Sequence, residues 1–173
     1  MNYLYHQVPK DMQGDVLYPL NELKEIYPEI YRKKFAKYEN RPHIPRQKIP
    51  ILNCLWNDVL HLSAIHPMKL KEAFSALGKH YDFVSYQIDP TILSKDNTVI
   101  YLHNERKKDD DLNPADFVEY DPELISNYAE IPEETLTYYK ERISAGESPL
   151  LYHLVPHILY RGSFYVDKAS VVS

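Results

Sequence analysis

Ile49 to Met68 reads IPILNCLWNDVLHLSAIHPM. The stretch holds the only Cys and the only Trp of the chain, two His and an Asn-Asp pair, between prolines. Within it, alternation predicts a strand over Asn57 to Ile65, with Val59, His61, Ser63 and Ile65 on one face. Leu60, Leu62 and Ala64 form the other face. A strand buried for packing alone does not need this many polar side chains, so the segment is expected to line a site. Pro67 suits the first turn of a helix that runs from Met68 to Leu77 and stops at Gly78.

Working outward, Tyr3 to Val8 is a short β-like run ended by Pro9. Leu20, Leu23, Ile26 and Tyr27, then Ile30, Tyr31, Phe35 and Tyr38, recur at helical spacing, and Pro28 is expected to kink or restart that helix. Its second half is basic, which predicts a positive outer face. Asn40 to Pro50 holds three prolines and predicts a loop. Downstream, Tyr81 to Ile88 and Thr98 to His103 read as strands, and Pro132 to Ile143 as a helix ended by Gly146. Asn104 to Ile131 is acidic and predicts a surface excursion with one helical turn. The tail from Pro149 to Val172 is apolar and β-rich. The irregular alternation of elements favours an α+β fold over a doubly wound parallel sheet.

Composition narrows the function classes. A chain of 173 residues fits one domain, residues 1–173, and two domains would each have a small core. No apolar run reaches the ~20 residues that span a bilayer, so no membrane partner is expected. The N-terminus lacks the basic and apolar regions of a secretory signal, and one Cys allows no internal disulfide, so a cytoplasmic location is expected. Residues 24–48 hold eight Lys or Arg against three Glu, whereas residues 104–134 hold eleven Asp or Glu against three Lys or Arg. The net charge of −5 argues against non-specific nucleic-acid binding, and the opposed segments would favour self-association. No Walker A or G-x-G-x-x-G motif is present among the four glycines. Tyr, at 16 residues, suits half-buried walls and stacking on flat ligands.

Three site chemistries compete. Eight His suggest a metal, but no H-E-x-x-H signature exists and Pro156 interrupts His153 and His157, so ordinary histidines are expected. Cys54 or Ser63 could head a nucleophilic triad, yet there is no G-x-S-x-G elbow and Cys54 sits in an apolar run. The third is a nucleotide pocket. His6 on the first strand would hydrogen-bond a ribose hydroxyl, Arg46 would fork onto phosphate, and a ring would stack on the base.

The residues YHQVP at the start, RQKIPILNCLWNDVLHLSAIHPMKL over Arg46 to Leu70, and the pair FVSYQIDPTIL and NTVIYLHN resemble the ADP-ribosyltransferase-like fold, in particular the bacterial DarT-type DNA-base ADP-ribosyltransferases. The resemblance covers about half of the chain. It implies a single domain with a split, twisted mixed β-sheet flanked by helices, and an NAD-dependent mono-ADP-ribosyltransferase-like activity with NAD as substrate. It assigns His6 to the ribose, Arg46 to the pyrophosphate, and Asp58 and Ser63 to the pocket floor. The family's late-strand catalytic Glu is missing from PLLYHLVPHILY, which leaves Glu147, just upstream, as the nearest acid. The acceptor is not specified. The alternative expectation is a non-catalytic nucleotide-binding or protein-interaction module on the same fold, its basic face meeting an anionic partner.

Overall fold

The structure, a computed structural model, describes residues 2–103 and 111–173. In chain order its elements are β1 (Leu4–Gln7), β2 (Val16–Leu17), α1 (Leu20–Ile26), α2 (Pro28–Phe35), β3 (Lys48–Ile49), β4 (Cys54–Leu55) and β5 (Leu60–Leu62). There follow α3 (Pro67–Ala76), β6 (Ser85–Ile88), β7 (Thr98–Tyr101), β8 (Phe117–Glu119), α4 (Glu133–Ser144), β9 (His157–Tyr160), β10 (Phe164–Tyr165) and β11 (Ala169–Val172).

The fold is α+β, and its centre is a four-stranded sheet in the order β5-β9-β7-β8. Paired residues of antiparallel strands project to the same face, so the register assigns each side chain. His61 pairs with Leu159, Val99 with Leu159, and Tyr101 with both His157 and Phe117. These residues therefore share one face, where Val99, Tyr101, Phe117 and Leu159 pack with Ile49, Cys54 and Val59. The opposite face carries Leu60, Leu62, Ile100 and Ile158 against Leu4, Leu17, Ile88, Tyr120 and Ile125. Both faces are buried, which explains why apolar residues occupy both phases of these strands.

A second sheet, β1-β6-β11, meets the first through one bridge. There Tyr5 N–H donates to Ser63 O at 2.7 Å and Ser63 N–H returns to Tyr5 O at 3.0 Å. Every strand pairing among the described residues is antiparallel, so the expected mixed sheet is corrected to antiparallel sheets. Short connections suffice for such pairs, whereas parallel strands need crossovers of a dozen or more residues.

The helix expected over residues 20–39 is broken where Pro28 lacks an amide donor, and Pro28 instead opens α2 at its first position. The strand expected from Asn57 begins only at Leu60, because Trp56–Asp58 coil into a 3-10 turn. Asp58 drives that turn: its Oδ2 accepts from Leu55 N at 2.8 Å, and its Oδ1 accepts from Asn21 Nδ2 of α1 at 2.7 Å. The strand expected over Tyr81 to Ile88 is confined to Ser85–Ile88. Of the acidic excursion, residues 104–110 lie outside the described residues, but the remainder is not superficial. Leu112, Phe117, Tyr120 and Ile125 are buried there, since β8 extends the main sheet and the Pro122–Tyr128 turn covers it.

Replacing Asp58 with Ala removes both acceptors at once. The expected cost is roughly 1–3 kcal/mol of unfolding free energy, read by urea denaturation, because a part-buried amide is left unmade. A change within ~0.5 kcal/mol, the range of ordinary surface substitutions, would mean the turn is held by other contacts.

Candidate functional site

A cavity of about 620 Å³ opens on the main sheet, within the range of small-ligand sites. Its floor comes from the ring-bearing face of the main sheet, its walls from α1, α2 and the Trp56–Asp58 turn, and its rim from residues 150–153. The rim is pinned by α4: Tyr139 Oη donates to Leu151 O, Thr135 Oγ1 donates to His153 O at 2.8 Å, and Leu150 N donates to Tyr138 Oη at 3.1 Å. Burial pushes the Tyr152 phenol up to about 12, so the rim stays uncharged there.

Rings line the floor. The Trp56 and His61 ring centres lie 4.7 Å apart, Trp56 and Tyr101 5.7 Å, His103 and His157 5.0 Å, and His61 and His157 6.3 Å. His6, His61, His103, His153 and His157, five of the eight histidines, face this one space. Among the described residues no group of three His, Cys, Asp or Glu side chains has the geometry to hold a metal ion.

The protonation of three of these rings follows from their partners. A carbonyl oxygen can only accept, so each ring nitrogen facing one must carry the proton. His6 Nδ1–H donates to Gln7 O at 2.7 Å, His61 Nε2–H donates to Trp56 O at 3.0 Å, and His157 Nδ1–H donates to Val155 O. Burial lowers all three to about 4, assisted by Lys34 at His6, by Lys37 and His6 at His61, and by His61 at His157. Near neutral pH each ring is uncharged and keeps its second nitrogen as an acceptor.

Opposite them stand Lys34, Lys37 and Arg41, which follow one another along α2 and the turn after it. Lys34 comes from α2, Lys37 from the Ala36–Tyr38 turn, and Arg41 from the chain just beyond it. Burial depresses Lys37, and the charges of Lys34 and Arg41 depress it further, while its Nζ lies 5.0 Å from the Tyr38 ring centre. Asp11 is the one carboxylate among the described lining residues, 3.8 Å from Lys34 Nζ. Cations thus outnumber acids at the cavity mouth.

The residues singled out from sequence divide. His6 lines the cavity. Arg46 is exposed on the Ile44–Arg46 turn and does not line it; Arg41, five residues earlier, does. Asp58 lies behind the wall and shapes the turn that presents Trp56 and Asn57. Ser63 is buried with its Oγ accepting from Ile65 N at 3.1 Å, and its backbone bridge brings the strand of His6 beside that of His61. Glu147 is exposed past the end of α4 and pairs with Arg142, away from the cavity. The residues that sequence reasoning missed carried a signal in part: Lys34, Lys37 and Arg41 share a helical spacing, but so does any solvated basic face.

No protein-family model, curated protein or solved structure matches the chain.

The uncharged histidines set an acid sensitivity. In the unfolded chain His titrates near 6.5, in the fold near 4, so the unfolded chain binds more protons between these values. Stability is therefore fully present above about pH 6.5 and is lost as pH falls toward 4, by up to ~1.4 kcal/mol per pH unit for each histidine. Urea unfolding between pH 7 and 5 isolates this window from most carboxylates. His157→Phe is expected to remove one histidine's share of the slope, and an unchanged slope would contradict the assignment.

Proposed function

We propose that the cavity binds a nucleotide-class ligand, with its phosphate at Lys34, Lys37 and Arg41 and its flat base among Trp56, His61 and Tyr101. The observation that carries this reading is the pairing of a cationic mouth with a ring-lined interior in one cavity of about 620 Å³. Arg offers a planar fork for phosphate oxygens, and stacking on aromatic rings contributes about 1–3 kcal/mol per base. The neutral imidazoles add acceptors suited to ribose hydroxyls or base amino groups.

The transferase form of this reading follows from the resemblance to the ADP-ribosyltransferase-like fold. In it NAD is the substrate, His6 holds a ribose, and cleavage of the C1′–N bond is aided by stabilising the developing cation. His6 in the cavity supports that form. It also requires a carboxylate near the reacting carbon, and Asp11, paired with Lys34, is the one that lines the cavity. Binding without transfer is therefore the better supported form, and the uncharged interior favours it.

Melting curves with AMP, ADP-ribose and NAD test the reading. A ligand at about 100 times its Kd stabilises by about 2.7 kcal/mol, or roughly 5–10 °C in a chain of this size. The double substitution Lys37→Met with Arg41→Met is expected to abolish most of that shift. No shift at millimolar nucleotide would overturn the reading. Released nicotinamide, assayed alongside, would instead favour transfer, and its persistence in Glu147→Gln would exclude Glu147 from the chemistry.

A further inference from the structure

We propose that Asn57 reads the terminal phosphate of a phosphomonoester, its amide Nδ2–H donating to a phosphate oxygen beneath Lys37 and Arg41. This rests on the nucleotide reading of the cavity and adds the charge class of the ligand and the residue that selects it.

A hydrogen bond fixes the direction of the Asn57 amide. Tyr38 Oη donates to Asn57 Oδ1 at 2.9 Å. An amide oxygen can only accept, so the Tyr38 proton is committed to it and the two hydrogens on Asn57 Nδ2 are left to be given elsewhere. Asn57 is 2% exposed and lines the cavity, yet Nδ2 has no acceptor among the described residues. A buried donor left unmade is costly and rare, so it calls for a partner that completes it, a water, an ion or a ligand.

The surroundings identify that ligand as an oxyanion. The hydrogen bond to Asn57 comes from Tyr38, between Lys37 and Arg41 in sequence; Lys37 Nζ lies 5.0 Å from its ring centre, and the Arg41 charge also acts on its hydroxyl. Lys34, Lys37 and Arg41 exceed Asp11 by two positive charges. That excess matches a phosphomonoester, whose second ionisation falls near pH 6 and gives about −2 at neutral pH. A lone internal phosphodiester carries one charge and would leave the mouth undercompensated, while a pyrophosphate linkage spreads its two charges over two phosphorus centres.

The test is calorimetric titration of the full chain with AMP and with adenosine. Asn57→Asp keeps an acceptor for Tyr38 and puts a negative oxygen where the donor stood. AMP binding is expected to weaken by roughly 100-fold or more, since like charges in a desolvated site repel strongly, while adenosine binding changes by less than about 3-fold. Tyr38→Phe retains the ring and frees the amide to turn. It is expected to weaken AMP by roughly 10-fold, the order of one hydrogen bond, again sparing adenosine. The second variant decides the matter if the first does not fold. Unchanged AMP affinity, or equal losses for AMP and adenosine, would overturn the assignment while leaving the nucleotide reading intact. A parent protein that binds ADP-ribose or NAD but not AMP would overturn the assignment alone, and one that binds none of these and no adenosine would overturn the nucleotide reading itself.

Discussion

Asp58 holds the Trp56–Asp58 turn to the backbone of Leu55 with one carboxylate oxygen and to Asn21 of the first helix with the other. Without that double anchor the chain would run on as the strand its alternation suggests, and Trp56 and Asn57 would alternate across a sheet. With it, the chain coils for one turn and presents both to the cavity before the sheet begins at Leu60. The same contact docks the first helix against the wall. The second helix, which follows the first after the break at Pro28, then carries Lys34 to the cavity mouth, and the Ala36–Tyr38 turn that continues it carries Lys37. A residue that never touches the cavity thus sets the positions of those that do.

The register of the main sheet supplies the other half of the site. Antiparallel pairing of His61 with Leu159 and of His157 with Tyr101 brings residues almost a hundred apart in sequence onto one face. Their rings are brought into one space, and burial keeps the imidazoles neutral even though the carbonyl facing each N–H favours the charged form. Cations on the facing helix reinforce that neutrality. An anion entering between the two sets would satisfy the cations and relax the pressure against protonating the rings. Ligand charge and histidine charge would then be coupled across the cavity.

Much of this was legible locally. Alternation located β1, β5, β6 and β7 to within a few residues, Pro28 located the helix break, and the polar excess of Ile49 to Met68 marked a wall. What could not be read was pairing. Nothing in HLVPHILY says that His157 will lie opposite Tyr101, because register is decided by long-range burial of both sheet faces. For the same reason Arg46, the phosphate ligand expected from sequence, lies outside the cavity, whereas Arg41, which also follows the basic helix, lines it. The acidic stretch after residue 110 misled in the opposite sense. Its charge concealed Phe117, Tyr120 and Ile125, three core residues spaced too irregularly to register as an element. Glu147 was close in sequence to the rim at Leu150–His153 but is turned away by its pairing with Arg142.

The coupling between ligand and histidine charge is the centre of this account, and calorimetry of sulfate binding at about pH 5.5 in buffers of different ionisation enthalpy measures it directly, since sulfate has no proton of its own to lose there. If the anion enters opposite His6, His61 and His157, the apparent binding enthalpy will vary with the buffer in the sense of net proton uptake by the complex. Binding without proton exchange, or with proton release, would contradict the account.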